Sequence, residues 1–379
     1  MTFPFATNGI DADEELGTLR RTSPVTKVSL RTGGEAWLVT RYADVRQVQA
    51  DPRFSRKAAT KPGTPSVWPD FQISQGLLYL DEPDHSRVRK LVAAAFSPRR
   101  IEKLEPQVQV IADRLADELT PPADLFADFA YPLPLLVIAE VLGMPATDQH
   151  QFAAWMNVIL DATQPPEAIG AAFGGVYGYL AQLMAMKKAN PGDDALTALL
   201  QTEQLSDDEV LHNVQNLVFA GQEPTSNMIA NGVVTLLRHP DQLALLKADP
   251  DLTPRAVEEL LRYLPTITAS PTRVAAVDVE VGGVTIPAGD AVLTVERSAN
   301  HDDEVFEDAA RFDITREPTH LAFGHGPHFC LGAALARLEI ATALRTLITR
   351  FPELRLAEEQ LEWLPNRIVY TPRELQVTW

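Results

Sequence analysis

Apolar positions in this chain recur mostly every three to four residues, with short alternating segments near the N-terminus and again beyond residue 270. Val25 to Ala43 alternates around Gly33-Gly34, which predicts a β-hairpin. Ala43 to Ala50 reads as a short helix ended by Asp51-Pro52. From Ile101 to about Gln201 the pattern is helical with short breaks. Asp124 to Gly143 is one apolar helix interrupted near Pro132 and Pro134, and Gln149–Ala162 and Glu167–Asn190 flank Gln164-Pro165-Pro166. The longest helix runs from Ser206, with Glu209 at capping-box spacing, to Arg238, where His239-Pro240 stops it. Thr253-Pro254 opens another, with Thr253 as N-cap. Leu331 to Arg350 is rich in Ala, Leu, Arg and Glu and has no proline, so it too is helical. A strand region begins at Thr272-Arg273-Val274 and passes the turns Gly282-Gly283 and Pro287-Ala288-Gly289; Leu361 to Trp379 supplies a last strand pair. The expected fold class is mainly α with a small β region. No repeat or linker divides the chain, so a single domain over residues 1–379 is expected.

Composition narrows the function classes. Hydrophobic residues make up 45% and charged residues 22%, enough for a large core. Lys and Arg number 33 against 51 Asp and Glu, a net charge of −18, which argues against a nucleic-acid partner. One cysteine, Cys330, excludes an internal disulfide and fits a reducing compartment. The opening MTFPFATNGIDADEE has neither a basic nor an apolar leader region. Ala168 to Met186 is uncharged but interrupted by glycines and Gln182, so no membrane span is expected, and the cytoplasm is the expected location.

The chemistry concentrates in Phe323 to Glu339, FGHGPHFCLGAALARLE. Gly324, Gly326 and Gly332 bend the chain around Cys330 just before a helix N-terminus, where unpaired N–H groups favour a thiolate. Three chemistries compete for such a thiol: a buried structural cysteine, a nucleophile working with His325 or His328, or an axial thiolate to haem iron. Phe323, Gly326, Cys330 and Gly332 together resemble the haem-binding loop of the cytochrome P-450 family, Phe-x-x-Gly-x-x-x-Cys-x-Gly. Four fixed residues match by chance about once in several hundred thousand windows.

Other stretches resemble the same family in the same order. His85 and Arg89 share a helix face, and the resemblance makes them donors to the haem propionates. Arg273 and His328 resemble two further propionate donors. Ala220-Gly221-Gln222-Glu223-Pro224-Thr225 matches the family's Ala-Gly-x-Asp/Glu-Thr, where an acid and an alcohol relay protons. Ala220, Gly221 and Glu223 match; Pro224 stands where the alcohol belongs, and Thr225 lies about 100° further round the axis. Pro224 is expected to kink the helix and strip the Ala220 carbonyl of its helical partner. Glu259 and Arg262 resemble the family's buried ion pair, with Arg311 as candidate third member. The proline-rich Lys57–Gln75 loop corresponds to the loop over the substrate. Trp68, Phe71 and Thr268 are candidate pocket residues; so are Trp155, Met156, Phe173 and Tyr177 on the helix pair expected to roof the site, with helix-core packing the expected fate of any one of these four.

The resemblance implies a cytochrome P-450 fold of the soluble bacterial type, binding haem b through Cys330 as a monomer. Thiolate donation favours O–O cleavage. No flavin or nicotinamide fingerprint is present, so electrons are expected from a ferredoxin and its reductase. Tailoring of a secondary metabolite or peptide follows, by hydroxylation or by oxidative coupling of aromatic side chains. The sequence is also compatible with a peroxide-driven enzyme, a non-catalytic haem-thiolate sensor and a cysteine hydrolase.

Overall fold

The computed structural model describes residues 1–379 apart from 6–8, 11–12, 68–75, 161–163, 203, 265–266 and 365–368, with backbone alone for residues 95, 98 and 160. Its axis is the helix Asp207–Arg238. Ser206 and Glu209 close the expected capping box at its start, and every residue from Thr225 to Leu236 is buried. Pro132–Val141, Pro166–Ala189 and Ala333–Arg350 pack around it, and their apolar faces merge into one large core. Pro166–Ala189 is long and apolar enough to cross a membrane. Its buried positions Ala172, Val176, Leu180, Leu183 and Met184 nevertheless recur at helical spacing and pack on protein neighbours.

The β region lies to one side. A six-stranded sheet orders Thr2–Phe3, Val25–Leu30, Glu35–Val39, Ala291–Thr294, Arg273–Ala275 and Phe54–Ser55. The hairpin turn has Gly33 and Gly34 at φ 100° and 79°, the left-handed region where glycine costs nothing. At the far edge, Phe54 faces Ala275 and Ser55 faces Val274 in antiparallel register.

Several boundaries differ from the expectation. The apolar segment after Asp124 is a π turn, Phe126–Ala130, followed by Pro132–Val141, with Pro132 in the first turn, where proline costs a helix least. Thr253 is not an N-cap: a 3₁₀ turn over Pro250–Leu252 runs straight into the helix, and Thr253 Oγ1 donates to the Pro250 carbonyl. The last strand pair uses Arg355–Leu356 with Gln376–Thr378, while Trp363 and Pro372 form only an isolated bridge. Helix Glu14–Thr22, capped by Asp13, and the short helix Glu296–Ala299 were not expected.

The Glu259–Arg262 pair is fully enclosed. Arg262 Nε and Nη2 donate to the two Glu259 oxygens at 2.7 and 2.8 Å, and both side chains are 0% exposed. Arg262 also donates to the carbonyls of Asn300, Ala309 and Arg311. Arg311 therefore contributes its backbone only. Its side chain points to solvent and lies 3.6 Å from Asp313, and the arginine beside Glu259 is Arg316, at 3.5 Å. The turn that presents the Arg311 carbonyl to Arg262 turns its side chain outward.

Candidate active site

Backbone hydrogen bonds shape the cysteine loop. Cys330 N–H donates to the Phe323 carbonyl at 2.8 Å, and Phe329 N–H to Gly326 at 3.0 Å. Gly326, at φ 74°, also presses on the helix Tyr42–Ala50: a Cβ there would lie 2.9 Å from Ala50 Cα and Gln49 O. The Phe323 ring is covered by the Arg337 guanidinium at 4.5 Å, and Arg337 forks onto Glu258 at 2.6 and 2.9 Å. Burial opposes the Glu258 charge, but His320 and Arg337 hold this carboxyl down to about 2.

Cys330 precedes the helix Ala333–Arg350, whose N-cap is Gly332. Its residue surface is exposed, yet protein surrounds the sulfur closely enough that burial pushes the thiol up. Both hold for a group on a cleft wall, reached from one side and backed on the others. The Gly332 N–H, Arg89 and Arg337 pull in the opposite direction without prevailing. The expected acidification by the helix terminus is thus outweighed by desolvation. Among the described residues, no histidine hydrogen-bonds this sulfur, which weakens the nucleophile alternative.

Around the loop stands a group of donors, two of which have a buried nitrogen without an acceptor. His85 and Arg89 project from the helix Asp84–Ala95, and Arg89 Nη2 donates to the Phe329 carbonyl at 2.6 Å, tying that helix to the cysteine loop. The His85 ring lies 4.2 Å from that of His328. His85 Nδ1 is 3.4 Å from Glu82, while Nε2 is buried without a partner. Arg273 Nη1 is likewise buried and unpaired. Burial, then Arg56, His85, Arg273 and Arg89, hold His328 down to about 2. Each cation in this cluster opposes protonation of the histidines. A small pocket touches Gln49, Phe54, Asp81, His85, Arg273 and His328.

Such an arrangement fits a carboxylate-bearing haem: an accessible sulfur, and beside it buried donors whose desolvation is otherwise uncompensated. Arg56 belongs to the same cluster and has no motif; in sequence, Phe54-Ser55-Arg56 looks like any strand end.

The long helix is less covered around Ala220 than further along. Ala220 is exposed and Gly221, Glu223 and Pro224 are half-buried, whereas Thr225 is 5% exposed and belongs to the buried run. The helix accommodates Pro224 unbroken, with Asn227 Nδ2 donating to the Glu223 carbonyl at 2.9 Å. Thr268 is buried, Met156 is core, Tyr177 is exposed, and Phe173 packs on Phe219. Trp155 lies against Tyr179. Trp68 and Phe71 lie outside the described residues.

Comparison with known proteins agrees with this geometry. The sequence model of the family described as Cytochrome P450 matches residues 179–379, more than half of the chain. Nocardicin C N-oxygenase of Nocardia uniformis subsp. tsuyamanensis is 42% identical over 391 residues, covering 100% of this chain and 98% of that protein. Mycinamicin IV hydroxylase/epoxidase of Micromonospora griseorubida is 41% identical over 391 residues, again covering 100% and 98%. The crystal structure of the LnmA cytochrome P450 hydroxylase from the leinamycin pathway of Streptomyces atroolivaceus superposes with a TM-score of 0.93 at 39% identity, covering 100% of both chains. The chain belongs to the cytochrome P450 family, and with it takes the family's haem iron and its monooxygenase activity.

Proposed function

We propose that this protein oxygenates a small secondary metabolite, using haem held by Cys330 as axial ligand and by His85, Arg89, Arg273 and His328 at its carboxylates. The observation that carries the haem placement is the pair of buried, partnerless donors, His85 Nε2 and Arg273 Nη1, beside the accessible thiol. The metabolite class rests on full-length relatives named for acting on nocardicin C and mycinamicin IV. The haem supplies oxygen activation when bound. The chain's own residues orient it, exclude water through the surrounding helices, and deliver protons. Electrons come from a ferredoxin and its reductase in the cytoplasm, and the chain works as a single-domain monomer.

Proton delivery is where this chain departs from its family. Pro224 offers neither a hydroxyl nor an N–H, and the Ala220 carbonyl loses its i+4 donor. That carbonyl can hold a water next to Glu223, or a polar group of the substrate can take the proton's route. The same feature favours a second reading, a peroxide-driven enzyme, in which the relay is dispensable.

Turnover under isotopically heavy oxygen, with a ferredoxin, its reductase and a panel of macrolide and peptide metabolites, tests the proposal. Reductant-dependent product carrying one heavy oxygen atom is expected. Product that needs only peroxide favours the second reading. Dehydrogenated, cross-linked product without label establishes coupling, and binding without turnover establishes a sensor.

A further inference from the structure

Arg56 reaches the donor cluster from the bend that follows the strand Phe54–Ser55, a stretch that carries no motif. Phe54 faces Ala275 and Ser55 faces Val274, so Arg56, the residue after that strand ends, and Arg273, the first residue of the partner strand, come close enough for their charges to act on each other. Like charges this close repel. Here both are also enclosed, Arg56 at 4% and Arg273 at 2% exposure. Among the described residues neither guanidinium donates a hydrogen bond or sits in an ion pair, and Arg56 Nε and Nη1 and Arg273 Nη1 are buried without partners.

The nearby carboxylates do not compensate. Asp81 accepts from Ser55 Oγ and from the backbone N–H groups of Arg56 and Lys57. One Glu296 oxygen accepts from Gln49, Ser270 and Thr294. Both anions moderate the field of the arginines at a distance, and among the described residues neither accepts a hydrogen bond from a guanidinium. Burying two unpaired guanidinium groups side by side is costly unless an acceptor from outside the chain joins them. A carboxylate has about four lone-pair sites and can accept from two guanidinium forks at once.

We propose that Arg56 and Arg273 form a two-arginine clamp on one haem carboxylate, which makes Arg56 a cofactor-binding residue of this chain. This rests on the assignment of His85, Arg89, Arg273 and His328 to the haem carboxylates. Among the described residues no hydrogen bond links either guanidinium to His328, so the bound cofactor would join this edge of the sheet to the cysteine loop.

Release of haem from purified holoprotein to excess apomyoglobin tests it, for the parent and Arg56→Gln, each carrying either haem or its dimethyl ester. With haem, Arg56→Gln is expected to release roughly 10-fold faster or more, the size of one lost charged hydrogen bond. With the ester, parent and variant are expected to release at the same rate. Equal release with haem overturns the proposal. So does an equal acceleration with the ester, which would make Arg56 a merely structural residue. If haem release is unchanged while affinity for carboxylate-bearing ligands falls, the carboxylate belongs to the substrate, and the haem clamp is overturned. An ester that leaves the parent's release unchanged counts instead against the whole carboxylate assignment. Should Arg56→Gln fail to fold, Arg56→Lys keeps the charge and loses the fork. Release faster than the parent's is then expected with haem, and parental release with the ester; parental release with both overturns the clamp.

Discussion

Arg262 and Arg273 are both enclosed arginines, and they could hardly be treated more differently. Arg262 donates to both oxygens of Glu259 and to three backbone carbonyls. Arg273 donates to nothing among the described residues and has the like charge of Arg56 acting on it. Burial of charge is tolerated where hydrogen bonds replace water. The completed set around Arg262 is that of a structural joint, and the incomplete set around Arg273 is the one that the proposed haem carboxylate would complete. Exposure alone would not separate them.

The largest effect should come from breaking the complete set. Glu259→Ala leaves Arg262 charged and uncompensated, a loss of about 3–5 kcal/mol. The expected outcome is aggregated or haem-free protein, seen by circular dichroism and absorbance. A folded holoprotein that merely turns over slowly would contradict a structural role.

The incomplete set should respond in the opposite sense. Arg273→Ala removes an unpaired charge, so the apoprotein should unfold at no lower urea concentration than the parent. Haem release should accelerate roughly 10- to 100-fold, as expected for lost charged hydrogen bonds. A variant that destabilises the apoprotein while keeping haem would erase the distinction between the two arginines.

The comparison extends to an acceptor. The Ala220 carbonyl is left without its i+4 amide by Pro224, as Arg273 is left without an acceptor. Pro224→Thr should restore that amide and raise product formed per reductant by a few-fold for small surrogate substrates, with little change for the natural substrate. Loss of all coupled turnover in Thr225→Ala would show instead that Thr225 relays protons from its buried position.

Glu258 is the intermediate case, paired yet partly exposed. Its carboxyl has an ordinary value of 4.5 and is held down to about 2 in the folded protein. A depressed carboxylate contributes stability that is complete above about 4.5 and is lost as pH falls toward about 2. Glu258→Gln should therefore flatten the acid side of the stability profile in that window. An unchanged slope would mean the Arg337 contact contributes nothing.

What the sequence disclosed followed the reach of each signal. The helices from Ile101 onward and the cysteine loop were legible because apolar spacing and glycines act locally. The Glu259–Arg262 pair was legible because its partners are one turn apart. Arg56 was not, since its meaning comes from a strand register joining segments far apart in the chain. Arg316 rather than Arg311 lies beside Glu259 for the same reason: a turn decides which side chain points inward. The thiol's expected acidity failed because spacing shows a helix terminus but not the enclosure that outweighs it.

Everything above turns on Cys330 as the ligand of a haem seated among those incomplete donors. The most direct measurement is the absorbance difference spectrum of the reduced protein with and without carbon monoxide, for the parent and Cys330→Ala. The account predicts the red-shifted band of thiolate ligation in the parent and its disappearance in the variant. A colourless parent, or the same band in Cys330→Ala, would contradict it.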